Sequence, residues 1–360
     1  MEPDAPDLRV TYRADQSPTE AFDVLVSELE DGLARSGITF DAKAGAAVSR
    51  GGSPVGVISH WEAGREVGVR WLAMPWGRSK DAAIRIRLEP DGTGCRVTWS
   101  LSGWAGLFDS DPSALPDWVA GNLLPELFRR LLPEPVGDWT TDRMARRPAG
   151  VRSREFYRDP TYHWPNFWLI LDRLQLAASD RLLEVGCGGG AFLKQALESG
   201  CSATGIDHSP QMVALAGEVN RDHVRSGRLT LRLGDAAHLP VDSDAFSCCV
   251  STGAIGFFPD PLAALQEMRR ALAPGGRVLI FASTPVLKGT PAAAEPVASR
   301  VHFFEGPELA DLAKRAGFTN VHVDEPALES YARKAGVPEE GMPLFRGTGA
   351  SLLLTAEKPR

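Results

Sequence analysis

The chain has 360 residues, 43% of them hydrophobic and 24% charged, which is typical of folded globular protein and predicts two domains. Residues 1–145 hold 22 acidic and 15 basic residues, whereas residues 146–360 hold 24 of each, so the formal net charge of −7 lies in the first part. An acidic first part excludes duplex nucleic acid as the expected partner, because such binding needs clustered lysine and arginine.

Cysteine spacing and segment hydropathy narrow the class further. The five cysteines show neither a CxxC pair nor metal-ligand spacing, so we expect a reduced, cytoplasmic protein without a metal site. The N-terminus lacks a basic segment followed by an apolar run, so no signal peptide is expected. No stretch approaches the roughly 20 apolar residues of a membrane span, and no membrane partner is expected.

The first 139 residues predict an α+β domain. The alternating run 8–13 predicts a strand, and Ser17-Pro18-Thr19-Glu20 predicts the start of a helix. Further strands are predicted at 55–60, 65–73, 82–89 and 94–102, and a long amphipathic helix at 113–132. Seven of the nine tryptophans lie in this part.

This order of elements, with the run GTGCRVTWSLSGW at 92–104, resembles the START-like helix-grip domains, in particular the polyketide-cyclase and heat-shock-ATPase-activator homologue group. The resemblance covers about residues 7–134. It implies an antiparallel sheet wrapped around a long helix, with an apolar cavity between them. The tryptophans either line that cavity or fill it, since large aromatic residues also build cores.

Residues 140–153 are polar and basic around a Pro-Ala-Gly break, which predicts a linker between a domain at 1–139 and another at 154–360. The second domain alternates strands and helices, which predicts an α/β, Rossmann-like fold with a seven-stranded, mostly parallel sheet. Its strands are predicted at 181–186, 202–206, 229–233, 246–251, 277–283, 319–323 and 350–356. Its helices are predicted near 164–176, 190–199, 209–221, 261–272 and 306–316.

The first strand of this domain runs into the glycine-rich turn GCGGG at 186–190, where the absence of side chains lets a ligand approach the backbone. A dinucleotide-binding fold has a similar turn, with the pyrophosphate on a helix N-terminus. Glu184 favours a cationic cofactor instead, because a carboxylate repels a pyrophosphate. Asp207 ends the next strand and could hydrogen-bond ribose hydroxyls, a feature that NAD folds share.

The segments LLEVGCGGG, GIDHSPQMV, GDAAHLPV, FFPDPLAAL and LAPGGRVLI, in this order, resemble the class I S-adenosylmethionine-dependent methyltransferases, in the small-molecule branch that is similar to the ubiquinone-biosynthesis enzymes. The resemblance covers about residues 153–360. It implies S-adenosylmethionine as cofactor and a hydrophobic small molecule as methyl acceptor. The implied contacts are to methionine from Glu184, Gly186, Gly188 and Gly190, to ribose from Asp207, to adenine from His208, Asp235 and Ala236, and to the sulfonium from Thr252 and Gly253.

The aromatic segment 157–168 precedes the first strand. In similar enzymes this segment covers the cofactor and forms one wall of the acceptor pocket, so Tyr157 is an expected cofactor contact; aromatic faces also attract a sulfonium. The alternative is an aromatic helix docked on the sheet. A catalytic base is needed only if the acceptor must lose a proton, and His163 is the predicted base, ahead of His238 and His302. Loops 284–304 and 325–349 are the other expected walls.

Two departures from the family pattern affect three positions: Gly256 and Phe257 replace a common histidine pair, and Ser247 replaces an aspartate. The leading hypothesis is methyl transfer to a hydrophobic small molecule, in the context of secondary metabolism, with the first domain binding substrate or supporting assembly. The alternatives are a nicotinamide-dependent oxidoreductase and a non-catalytic small-molecule sensor. The sequence leaves homo-oligomerisation open.

Overall fold

The computed structural model describes residues 8–35, 37–72, 82–103, 141–148, 150–293, 297–347 and 349–360. The chain divides into two compact units, Met1–Met144 and Ala145–Arg360. The predicted helix at 113–132 and four tryptophans of the first unit lie outside the described residues: Trp76, Trp104, Trp118 and Trp139. No helix in the described residues is long and apolar enough to cross a membrane.

The described part of the N-terminal unit forms an antiparallel sheet and a long helix, α1 (Pro18–Arg35). A capping box starts the helix, because the Glu20 N–H donates to the Ser17 hydroxyl at 3.4 Å while the Ser17 N–H donates to the Glu20 carboxylate at 3.0 Å. The strands are Leu8–Ala14 (β1), Ile38–Phe40 (β2), Ala47–Arg50 (β3), Ser53–Glu62 (β4), Glu66–Trp71 (β5), Ala83–Asp91 (β6) and Gly94–Ser102 (β7). Their order in the sheet is β1-β7-β6-β5-β4-β3-β2.

Alternation along the strands decides which face of this sheet is buried. Ile84 and Ile86 of β6 lie in the core, whereas Arg85 and Arg87 point to the other face and both pair with the Glu66 carboxylate. Trp71 and Trp99 are buried among the core side chains, beside a gap of about 20 Å³. A gap of that size has room for roughly one water molecule, so these two tryptophans fill the described core.

The C-terminal unit is built on a mixed sheet of seven strands: Arg181–Val185 (β8), Ser202–Asp207 (β9), Leu229–Leu233 (β10), Phe246–Thr252 (β11), Leu272–Ser283 (β12), Thr319–Asp324 (β13) and Ser351–Glu357 (β14). Their order is β10-β9-β8-β11-β12-β14-β13. Strands β8 to β12 pair in parallel, and β14 runs antiparallel to both β12 and β13. The predicted mostly parallel Rossmann-like sheet is confirmed.

Helices cover both faces of this sheet, over two hydrophobic clusters. Their ranges are Gly150–Arg158 (α2), Trp164–Leu174 (α3), Ala191–Ala196 (α4), Pro210–Val219 (α5), Arg221–Arg225 (α6), Pro261–Ala271 (α7), Val297–Arg300 (α8), Gly306–Arg315 (α9) and Glu329–Lys334 (α10). Side-chain caps start α5 and α7: Ser209 accepts from the Met212 N–H, and Asp260 from the Ala263 N–H.

The segment predicted as a linker differs from a plain connection. Residues 142–146 form a helical turn, and α2 begins at Gly150, inside the predicted linker range 140–153. The division between the two compact units falls between Met144 and Ala145. The basic residues of this segment favoured a solvent-exposed linker over a packed helix. In the structure Arg154 and Arg158 of α2 both pair with Glu218 of α5.

Strand order reverses at β8, with β9 on one side and β11 on the other. In doubly wound sheets ligands bind at such a switch point, beyond the carboxyl ends of the strands. The glycine turn follows β8, Asp207 is the last residue of β9, and Thr252 is the last residue of β11. The topology therefore brings these predicted site residues to one edge of the sheet.

Candidate active site

The glycine turn after β8 has a conformation that requires glycine. Gly186, Gly188 and Gly190 have φ values of +79°, +49° and +77°, in the left-handed region that side chains disfavour. Space is limited as well. A Cβ on Gly186 would overlap the Ala254 methyl, and a Cβ on Gly190 would lie 2.7 Å from Asn220 Nδ2. The turn is therefore fixed both by backbone conformation and by its neighbours.

Helix α2 covers this turn. The Tyr157 carbonyl lies where a Cβ on Gly189 would be, and the Tyr157 ring lies 3.4 Å from the corresponding position on Gly188. Burial, with a contribution from Asp207, raises the pKa of the Tyr157 phenol to about 12, so the ring is neutral at physiological pH. Tyr157 thus packs against the glycine turn, and its contact with a cofactor stays a prediction.

Asp207 ties the ends of β8 and β9 together. Its Oδ2 accepts a hydrogen bond from the Gly188 N–H and its Oδ1 accepts one from the Ser209 N–H, both at 2.9 Å. Burial raises the pKa of the Asp207 carboxyl, and the two backbone donors oppose that shift. The carboxylate thus holds the glycine turn, and its remaining lone pairs can accept hydrogen bonds from a ligand.

Glu184 has only one partner for its two carboxyl oxygens. The Thr252 hydroxyl donates to Oε1 at 2.8 Å, across the pairing of β8 with β11. Oε2 is buried without a hydrogen-bond partner in the described structure, and the residue is 1% exposed. Burial raises the pKa of the Glu184 carboxyl well above its usual value, and Asp207 adds to the rise. Buried acceptors of this kind need a ligand donor or a proton.

Three rings form a stack beside the turn. The His163 ring lies 6.2 Å from the Tyr157 ring and 6.1 Å from the Phe167 ring, with interplanar angles of 20° and 17°. Burial lowers the pKa of His163 to about 4, so its imidazole is neutral at physiological pH. The structure thus brings the predicted base next to Tyr157, on the same side of the turn.

The expected adenine contacts lie further out. His208 is exposed, and its Nε2 pairs with the Arg146 carbonyl. Asp235 is exposed, and its Oδ1 accepts from the Ala237 N–H at 2.9 Å, while Ala236 is half-buried. Gly253, after β11, has a φ of +118°, and a Cβ there would meet open space.

The structure shows why residue 256 is a glycine. The sequence alone indicates only that a common histidine is missing there. The His302 N–H donates to the Gly256 carbonyl at 2.9 Å, and a Cβ on Gly256 would overlap the His302 carbonyl. The His302 ring pairs through Nε2 with Glu308 Oε1 at 2.7 Å. Gly256 and His302 are far apart in the chain, and no local pattern predicts their contact.

A second departure is also compensated. Ser247 lies where the family resemblance predicts an aspartate, and its hydroxyl donates to Asp180 Oδ1 at 2.6 Å. Arg277 on β12 donates to Asp180 Oδ2 at 2.9 Å. The carboxylate that position 247 lacks is thus supplied by Asp180, directly before β8. This cluster lies at the amino end of the strands, opposite the glycine turn.

Comparison with known proteins agrees with this geometry. Residues 183–280 match the family model described as a methyltransferase domain. Over 128 residues, 34% of this chain, it is 35% identical to methyltransferase GfsG of Streptomyces halstedii, covering 43% of that protein. It is 31% identical over 128 residues to the ubiquinone/menaquinone biosynthesis C-methyltransferase UbiE of Geobacter sp. strain M21, covering 34% of this chain and 54% of that protein.

A solved structure described as an S-adenosylmethionine dependent methyltransferase from Mesorhizobium loti is similar at 23% identity and a TM-score of 0.43, covering 53% of this chain and 97% of that one. The chain spans about half the length of the two curated relatives named above. The matched segment contains the glycine turn, Asp207, Asp235 and Thr252. Residues 183–280 of the C-terminal unit therefore match a methyltransferase domain, and S-adenosylmethionine is the cofactor that such a domain uses.

Proposed function

We propose that the protein transfers a methyl group from S-adenosylmethionine to a hydrophobic small molecule. The observation that carries this proposal is the unpartnered, buried Oε2 of Glu184 beside a turn of three glycines with positive φ. A carboxylate of this kind suits the cationic amino acid part of the cofactor. The residues present thus fit the group.

Each contact is proposed for a residue whose position supports it. Glu184 and the glycines hold the methionine part, Asp207 the ribose, and Thr252 and Gly253 border the sulfonium. His208, Asp235 and Ala236 are proposed at the adenine. When bound, the cofactor supplies an electrophilic methyl group, and transfer is an in-line displacement in which the sulfonium loses its charge.

The protein's own contribution is alignment in a dry site, which can supply most of the acceleration of such a reaction. Tyr157 lies over the glycine turn and covers it from solvent. We propose His163 as the base where the acceptor must lose a proton, because its buried ring is neutral and can accept one. The stack with Tyr157 and Phe167 holds the ring in place.

The acceptor is proposed to be apolar. The loop after β12 begins with a turn at Pro285–Leu287, in which Val286 is 67% exposed. Exposed apolar side chains at the carboxyl edge of the sheet suit an apolar ligand. The relative UbiE is named for ubiquinone/menaquinone biosynthesis, which supports the same class of acceptor.

For the N-terminal unit we propose a helix-grip fold that binds the acceptor or supports assembly. The support is its continuous antiparallel sheet with α1 packed on one face. Residues 145–360 alone should bind S-adenosylmethionine, since the matched segment lies within this unit. They should turn over the true acceptor less efficiently than the full chain; an equal rate would assign the N-terminal unit another role.

The experiment for the main proposal is calorimetry of the full chain with S-adenosylmethionine and, separately, with NADH. We expect saturable binding of the first and none of the second. Turnover is then followed by mass spectrometry of small molecules that co-purify with the protein, with S-adenosylhomocysteine as the expected product. Binding of NADH alone would overturn the proposal, and cofactor binding without turnover of any co-purified molecule would indicate a sensor.

A further inference from the structure

Glu184 and Asp207 form a pair of carboxyl groups inside one buried site. Glu184 is 1% exposed, and Asp207 adds to the rise in the pKa of Glu184 because like charges repel. The other titratable groups that interact with Glu184 are the thiols of Cys187 on the turn and Cys249 on β11, whose pKa values are raised by burial. Both thiols are therefore neutral.

Among the residues that the structure describes, the remaining neighbours supply no positive charge to Glu184. Thr252 on β11 contributes a neutral hydroxyl. Tyr157 on α2 is neutral and interacts with Asp207. His208 interacts with Asp207, is itself exposed, and pairs through Nε2 with the Arg146 carbonyl. The groups acting on Glu184 are thus acids or neutral donors.

An ionised carboxylate buried without a cation or a full set of hydrogen bonds is strongly disfavoured, and such a group takes up a proton instead. Glu184 Oε1 has a donor in Thr252, whereas Oε2 has none. A proton on Oε2 removes the uncompensated charge. A cation brought next to Oε2 would reverse this preference, because an opposite charge within about 4–6 Å favours the ionised form.

We propose that Glu184 holds a proton on Oε2 before the cofactor binds and releases it to solvent when the cationic amino acid part of S-adenosylmethionine arrives. In this step the O–H bond of the carboxylic acid breaks, the proton passes to buffer, and the carboxylate forms an ion pair with the ligand ammonium. No electrons are exchanged. The inference rests on the proposed function, since it needs the cofactor to bind at this turn.

The affinity for S-adenosylmethionine depends on whether Glu184 carries a proton in the free protein. Above the pKa that Glu184 has in the free protein, this carboxyl is already ionised and releases no proton on binding. Below it, each binding event must displace a proton, so the dissociation constant rises by about tenfold for each unit that the pH falls. Affinity for S-adenosylmethionine should therefore weaken towards acid pH, although the ligand's own ammonium does not titrate there.

The test is calorimetry of the full chain with S-adenosylmethionine at matched pH in two buffers of different ionisation enthalpy, phosphate and Tris. The difference in heat gives the number of protons released. We expect about one proton on the acid side of the profile and none on the alkaline side. Glu184→Gln should remove the difference between buffers, whereas Glu340→Gln, at an exposed site, should retain it.

Two results would overturn the inference: equal heats in both buffers at every pH for the wild type, or a proton release that survives Glu184→Gln and disappears in Asp207→Asn. If Glu184→Gln does not fold, infrared difference spectra of the wild type decide, since the band of a protonated carboxyl should disappear on addition of the cofactor. Binding without proton release contradicts this inference alone. Absence of any S-adenosylmethionine binding contradicts the proposed function.

Discussion

Gly186 faces Ala254 so closely that a Cβ on the glycine would overlap the alanine methyl. The contact joins the turn after β8 to the loop after β11, so the two loops that border the site are packed directly on each other. A larger side chain at Gly186 or at Ala254 would push these two loops apart. The shape of the site therefore depends on a residue that contributes no functional group.

The first prediction tests that packing. Gly186→Ala should lower both stability and S-adenosylmethionine affinity, because it adds a steric clash to the backbone strain. Gly289→Ala is the matched control: Gly289 has the same φ of +79°, but a Cβ there meets nothing within 4 Å. We expect the control to cost about 1 kcal/mol, the strain of a left-handed residue, and to leave affinity unchanged. Thermal unfolding and calorimetry measure both; equal losses would contradict the packing argument.

The second prediction concerns Asp180. Burial would raise the pKa of this carboxyl, but hydrogen bonds from Arg277, the Ala177 N–H and Ser247 lower it to about 2. Because the folded pKa lies below the unfolded value, the stabilisation is present above about pH 4 and is lost as the pH falls towards 2. Asp180→Asn should cost about 2 kcal/mol at neutral pH.

Urea unfolding at neutral and acid pH checks this. The loss in Asp180→Asn should be large at neutral pH and small in acid. Asp311→Asn is the control, since the Asp311 side chain is 64% exposed and pairs with Arg315 at 3.6 Å. An exposed pair of this kind contributes little. A pH-independent loss in Asp180→Asn would show that shape rather than charge matters at this position.

The third prediction separates the two parts of Tyr157. Its ring lies over Gly188, and its hydroxyl has a pKa raised to about 12 by burial, so no phenolate is available at physiological pH. Tyr157→Phe should therefore retain S-adenosylmethionine affinity. Tyr157→Ala removes the ring and should weaken binding by about tenfold, near the 1–2 kcal/mol of a buried aromatic contact with a cation. Titration calorimetry of both variants gives the comparison, and a large loss in Tyr157→Phe would argue for a role of the hydroxyl.

The fourth prediction concerns His163. Burial lowers its pKa to about 4, so the ring is neutral above about pH 5 and its capacity as a base does not change between there and pH 8. His163→Phe keeps an aromatic ring in the stack and removes the base. If His163 acts as proposed, this variant should keep its affinity for S-adenosylmethionine and lose turnover. Steady-state kinetics at several pH values test it; unchanged turnover would remove His163 from the mechanism.

The strands of the C-terminal unit were predictable because each carries a continuous apolar run bounded by polar turns. Strand β12 differs from the prediction at its start, because it begins at Leu272 and not at residue 277. Pro274 and the two glycines that follow it are typical of a turn. In the N-terminal unit β2 and β3 were missed. They have three and four residues, which is too short to establish a period-two pattern.

The residues of the candidate site also fall into those that a local pattern predicts and those whose contacts join distant parts of the chain. The end of β8 and its turn indicated the glycines and Glu184, the end of β9 indicated Asp207, and the family resemblance implied their roles. The hydrogen bond from Thr252 to Glu184 joins residues 68 positions apart, and the close approach of His302 to Gly256 depends on how α8 and the following loop fold back. Such contacts arise only when the sheet is assembled, and no local pattern encodes them.

The contact between Tyr157 and Gly189 is made by a main-chain carbonyl on one side and the bare Cα of a glycine on the other. Main-chain atoms are the same for every residue type, so this contact restricts the two positions unequally. In a saturation library selected for cofactor binding, position 189 should accept almost no replacement, whereas position 157 should accept other flat rings. Whether a position tolerates substitution would then depend on whether its main chain or its side chain makes the contact. Positions 157 and 189 would show no covariation in the surviving sequences, although the two residues are in direct contact.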